Sequence, residues 1–199
     1  MNAEQTFRAK APGIIAQLLR DFPISPEDAA AIVGNLGHES LGFTAMQELK
    51  PVVAGSKGGW GWAQWTGPRR RAFEAYCGRT GKDPASDDAN YAYLFLELKG
   101  IEGTEAKAIG KLMAAKGLDA KVEAFEKAFL RAGVKHYESR KQWARIALDA
   151  WQKSGGAATP DIPIVPLPEP IPSGLNWPAI IILALIALVV AGAFFWRGF

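Results

Sequence analysis

Upstream of residue 154, the pattern of apolar and polar positions is mostly helical. Ser25-Pro26-Glu27-Asp28 reads as an N-cap, a proline at the first helical position and acids in the first turn. A helix then runs through Ile32, Val33 and Leu36 and stops near Gly42. Further helices are predicted around residues 12–21, 68–77, 87–99, 105–116, 120–132 and 136–153, with Gly78, Gly100, Gly117, Gly133 and Gly155 at their ends. The stretch "GSKGGWGWAQW" (55–65) breaks this pattern. It is glycine-dense and alternating, with Trp60, Trp62 and Gln64 on one side and Gly61, Ala63 and Trp65 on the other, as in a short strand or β-hairpin, the alternative being an irregular Gly-rich insert at the cleft.

Two later segments have a different character. Residues 154–174 hold six prolines and no basic residue, a composition that favours extended polyproline II over a packed core. This predicts a stiff linker rather than part of the fold, with an SH3-type ligand as the sharper alternative. From Ala179 to Trp196, 18 residues carry no charge, and 11 of them are Ile, Leu, Val or Phe. At ~1.5 Å per residue such a helix is about 27 Å long, close to the ~30 Å hydrocarbon core of a bilayer. Trp177 and Trp196 bracket it at headgroup positions, and Arg197 would keep the tail inside. The expectation is a single-pass C-terminal anchor in the host inner membrane, with residues 179–196 in the lipid bilayer and the preceding domain on the periplasmic side.

Composition adds a few exclusions. Residues 1–153 carry 22 basic and 18 acidic side chains, a mild bias towards anionic surfaces and too small to argue for nucleic acid. Cys77 is the single cysteine, so no intramolecular disulfide is available. With only two histidines, a structural zinc site is not expected either.

The candidate chemistry begins at "GNLGHESLGF" (34–43). At 100° per residue Glu39 lies about 20° from Ile32 and about 60° from Leu36, so it shares the apolar stripe of its helix. A carboxylate taken out of water favours its protonated form, and a protonated Glu can donate to the leaving oxygen of a glycoside. The plainer alternative is a Glu at a frayed helix end, bonded to a nearby backbone N–H. Two-carboxylate glycosidases need a second acid, and Glu48 is the one acid between Glu39 and Gln64. It could serve as base, nucleophile or electrostatic stabiliser, or be an ordinary surface residue. Trp60 and Trp62 offer indole faces to sugar rings, and Gln64 offers donors and acceptors to hydroxyl and N-acetyl groups. Trp65 is expected in the core.

"GNLGHES" followed by "GWGWAQWTGPRR" resembles the phage tail lysozyme and endolysin group of the lysozyme-like superfamily. Gly34, Asn35, Glu39 and Ser40 match its first motif, and Gly59, Gly61, Ala63, Gln64, Trp65, Thr66, Gly67 and Arg69 its second. "FLRAGVKHYESRKQWA" (129–144) is similar to the closing helices of such proteins. The resemblance implies a mainly α, lysozyme-like α+β fold and Glu39 as the catalytic acid. A later Tyr-Asn motif of the lytic transglycosylases is not evident, which favours hydrolysis over anhydro-forming cleavage.

The sequence therefore predicts a lysozyme-like catalytic domain (1–153), a Pro-rich linker (154–174) and a transmembrane anchor (175–199). The expected activity is muramidase-type cleavage of peptidoglycan glycan strands for host-cell lysis. Glu39 and Glu48 would be catalytic, and Trp60, Trp62, Gln64 and Thr66 would bind substrate. No metal or organic cofactor is required, and a phage holin is a candidate partner. The alternatives are a lytic transglycosylase of the same fold, a non-catalytic membrane-anchored wall-binding protein, and a holin-like protein that itself lesions the membrane.

Overall fold

The computed structural model describes residues 1–48, 57–159, 162, 163, 165 and 166. Among these described residues seven α-helices follow one another: α1 (Ala3–Asp21), α2 (Pro26–Glu39), α3 (Gly67–Thr80), α4 (Asp87–Lys99), α5 (Lys107–Ala114), α6 (Leu118–Phe125) and α7 (Tyr137–Lys153). A π-helical turn, Glu126–Leu130, continues α6. They belong to a compact unit spanning Met1–Val165.

Local signals set most of these helices. The Ser25 hydroxyl accepts from the Asp28 N–H, while the Asp28 carboxylate accepts from the Ser25 N–H, so each satisfies an otherwise orphaned donor at the start of α2. Asn2 and Gln5 do the same for α1, which therefore begins well before residue 12 and carries Pro12 inside it. Gly81 and Gly100, both left-handed, cap α3 and α4, so α3 runs past Gly78.

The core is built around α2. Every residue from Asp28 to Gly37 is buried, because α1, α6 and α7 all pack against this helix. The wet face that its sequence stripe implied does not exist. Small residues make that possible: Ala29, Ala30 and Ala31 are wholly buried, and a β-carbon on Gly34 would stand 2.4 Å from the Ala144 Cα and backbone nitrogen. The α2 and α7 backbones meet at that point. Lys121 of α6 bonds Asp28, pairing the charge at the buried start of α2.

Two expectations about the fold are overturned. First, the described residues contain no β-strand or hairpin; residues 57–65 form a tight turn marked by two isolated bridges, Gln47 with Trp60 and Trp60 with Trp65. Gly61 at φ +77° and Gln64 at φ +46° fold the chain back, so alternation never becomes an extended strand. The domain is mainly α. Second, no helix among the described residues is long and apolar enough to cross a membrane. Residues 179–196, and with them the expected span and its lipid contact, lie outside the described residues. The single-pass anchor, and the host inner-membrane location drawn from it, are therefore not supported. Within the segment expected as a linker, Ile162 and Val165 are buried and join the core.

Candidate active site

Glu39 is the last residue of α2 and sits where that buried helix reaches the surface. Ser40 caps it: its hydroxyl donates to the Leu36 carbonyl at 2.7 Å and accepts from the Phe43 N–H at 3.0 Å. Leu41, Gly42 and Phe43 all have positive φ, turning the chain away sharply after the carboxylate. The Glu39 side chain is 18 % exposed.

Its partner is Arg140 of α7, whose Nη2 donates to Glu39 Oε1 at 2.6 Å. Arg140 is itself only 1 % exposed and is held at two further points. Its Nε donates to the Lys135 carbonyl at 2.7 Å and its Nη1 to Asn35 Oδ1 at 3.3 Å. The Asn35 amide in turn donates to the carbonyls of Ala31 and Val122, tying α2 to α6. This explains the Gly-Asn-x-x-x-Glu spacing physically. Gly34 lets α7 approach, Asn35 one residue on receives the guanidinium, and Glu39 one helical turn further shares it. It also corrects the picture of Glu39 as a carboxyl isolated in an apolar stripe: a cation is bonded to it.

A cleft of about 430 Å³ opens at Glu39. Glu39, Glu48, Ala63, Gln64 and Thr66 line one part of it, and Leu130, Arg131, Ala132 and Gly133 the other. Glu48 is oriented by its own loop, with Oε2 accepting from the Gly59 N–H at 2.8 Å and its backbone N–H donating to the Gly59 carbonyl at 2.9 Å. The second wall is organised by Glu126, a wholly buried carboxylate. It accepts from the Ala132 N–H at 2.8 Å, Lys135 Nζ at 3.1 Å and the Tyr137 hydroxyl at 3.0 Å. Arg131, on this wall, donates to Glu105 at 2.6 Å.

The second motif divides between cleft and scaffold. Thr66 is exposed, lines the cleft and makes no capping bond to α3. Gln64 also lines it, but its amide nitrogen donates to the carbonyls of Ala45 (3.2 Å), Met46 (3.4 Å) and Gly61 (2.9 Å), pinning two loops together. Its carbonyl oxygen is the group it can offer to a ligand. Trp65 is buried and donates to Glu97 at 2.7 Å. Arg69 meets the same carboxylate with both Nε and Nη2 at 2.8 Å, and its Nη1 reaches the Phe129 carbonyl at 3.0 Å. Burial pushes the Glu97 carboxyl above its ordinary range, while Arg69 and Trp65 pull it the other way. These two motif residues therefore lock α3, α4 and the base of the second wall together.

The tryptophans are not placed as the alternation implied. Trp62 is 0 % exposed, packs on Phe43 with ring centres 4.8 Å apart and does not line the cleft. The reason is backbone anchoring: the Trp62 N–H donates to Asn90 Oδ1 at 2.8 Å. A β-carbon on Gly61 would stand 2.4 Å from that same oxygen, so glycine is required beside it. Trp60 is partly buried under Arg70, whose guanidinium lies 5.4 Å from the ring centre, and it too is absent from the cleft lining.

Glu126 carries no sequence motif, and Arg140 and residues 130–133 lie in the 129–144 stretch without any of them standing out there as a site residue. One signal was present: Arg140 shares the buried stripe of α7 with Ala144, Ala147 and Trp151, and an arginine in such a stripe needs a partner. Backbone strain marks the same region. Five non-glycine residues among those described have positive φ. Gln64 and Arg131 line the cleft, Leu41 and Phe43 follow Glu39, and His136 precedes Arg140. Such conformations cost about 1–3 kcal/mol each and gather at functional sites. Among the described residues, no group of three or more His, Cys, Asp or Glu side chains could hold a metal ion.

No curated protein and no solved structure matches the chain. A family model does, over residues 11–151, a span that holds α2, the cleft and all but the end of α7. The chain belongs to the phage tail lysozyme family.

Proposed function

We propose that this protein is a peptidoglycan-lytic glycosidase of the muramidase type, with Glu39 as proton donor and Glu48 as its partner. The observation that carries this reading is that two carboxylates line one cleft, one at the end of a helix buried from Asp28 to Gly37 and the other fixed by a backbone N–H. Arg140 engages Glu39 Oε1, which leaves Oε2 to face the glycosidic oxygen. Proton transfer from Oε2 accompanies breaking of the bond between the anomeric carbon and that oxygen. The leaving sugar keeps the proton. Water oriented by Glu48 adds to the anomeric carbon, its second proton passes to the enzyme, and a new reducing end results. Thr66 and the Gln64 carbonyl oxygen supply polar contacts to the glycan. Cleavage of this bond along the glycan strands is what host-cell lysis requires.

The test is turbidity loss of purified peptidoglycan with the wild type, Glu39→Gln and Glu48→Gln. Glu39→Gln should lower the rate by about 10²–10⁴-fold with an unchanged circular dichroism spectrum. Glu48→Gln should be severe with substrate capture little changed. Mass spectrometry of the products assigns the reaction: reducing ends mean hydrolysis, whereas 1,6-anhydro ends mean transglycosylation. A folded Glu39→Gln protein that keeps activity within a factor of about three overturns the reading.

A further inference from the structure

We infer that Arg140 is a positioning residue that couples the second wall of the cleft to the proton donor. The inference rests on the reading of Glu39 as that donor. Arg140 reaches Glu39 Oε1 through Nη2, while its Nε is bonded to the carbonyl of Lys135. Lys135 lies in the loop that begins as the cleft wall, and its ammonium bonds Glu126, which also holds the Ala132 N–H. One bonded series therefore runs from the wall at Ala132 through Glu126, Lys135 and Arg140 to the carboxylate.

Glu126, Lys135 and Arg140, the inner members of the series, need not touch the glycan. The guanidinium is planar and rigid, and at 1 % exposure it has little room to move. Glu39 has rotatable bonds of its own and, at a helix end, would sample several rotamers without a partner. Fixing Oε1 selects the one that presents Oε2 to the cleft. A glycan pressed against residues 130–133 would stiffen the same series. Misplacing a proton donor by about 1 Å can cost on the order of 100-fold in rate, so this geometry bears on turnover rather than capture.

The experiment measures kcat and KM on soluble peptidoglycan fragments, with melting temperature recorded for each variant. Arg140→Gln, which loses both charge and fork, should lower kcat by about 100-fold and leave KM within about twofold. Arg140→Lys keeps the charge and one donor, and should recover part of that loss. Asn35→Ser removes the Oδ1 contact, together with the amide bonds to the Ala31 and Val122 carbonyls, without altering Arg140 or Glu39, and should lower kcat to a smaller extent with KM again unchanged. If the Arg140 variants do not fold, the Asn35→Ser result decides. A folded Arg140→Gln protein with wild-type kcat, a loss confined to KM, or unfolded Arg140 variants alongside wild-type kcat in Asn35→Ser overturns the inference. Glu39→Gln is run in parallel. If that variant stays active, the assignment of Glu39 has failed. If it is silent while Arg140→Gln is unimpaired, only the positioning role has failed.

Discussion

Gly34 of α2 lies against the backbone of Ala144 of α7 so closely that a β-carbon on the glycine would stand 2.4 Å from the Ala144 Cα. One helical turn along from Ala144 is Arg140, and one residue beyond Gly34 is Asn35, which receives its guanidinium. The closeness of the two helices and the Arg140–Glu39 pair are thus parts of one interface.

Gly34→Ala should therefore be destabilising despite its better helix propensity. Alanine gains about 1 kcal/mol in a helix interior. Overpacking against backbone costs about 1–3 kcal/mol, because neither helix can yield locally. Activity should fall further than stability alone explains, since the shift moves Arg140 from Glu39. Thermal melts and turbidity assays on the same preparation check both parts.

Trp62→Ala should cost roughly 3–5 kcal/mol, as expected for deleting a fully buried indole. Trp60→Ala should cost less, because that ring is only partly buried. Chemical denaturation separates the two. Equal stability of Trp62→Ala and wild type would mean that the indole is not in the core.

Arg69→Leu leaves the Glu97 carboxylate, with 0 % side-chain exposure, bonded only by Trp65 among its present side-chain donors. Removing one partner of a buried pair typically costs about 3–5 kcal/mol, and a drop of that order in the unfolding free energy is expected. The second wall should loosen as well, because Arg69 also holds the Phe129 carbonyl. Limited proteolysis near residues 130–136 would report it.

His38 links stability to pH. Burial first, then the nearby charges of Arg140 and His136, push its imidazole from 6.5 down to about 4. Between those values the unfolded chain binds a proton that the folded chain does not, so stability is lost as pH falls from about 6.5 to 4. The His38→Gln protein should show a flatter melting temperature across that window. Below it, acid loss from paired carboxylates such as Asp28 and Glu74 should remain, since both are held under their ordinary range.

Short-range signals decided where the helices lie. Ser25 and Asp28 cap α2 through contacts three residues apart, and α4 occupies residues 87–99 as its acids and closing glycine predict. The Glu39 helix end and the second motif were legible for the same reason, as compact runs of residue types. Two features differ from their local pattern because they depend on what lies across the fold. Residues 57–65 alternate like a strand, yet Asn90, 28 positions after Trp62, takes its N–H and draws that indole inward. The α2 stripe suggested one buried face, yet helices from both ends of the domain enclose it. The environment of Glu39 was the least legible part. Its partner lies 101 residues away, and nothing local to either residue specifies that two backbones will approach closely enough to join them. Sequence patterning determined the helices and the candidate acid. Tertiary packing decided which side chain that acid would meet, because burial and long-range pairing are properties of the assembled core and not of any one segment.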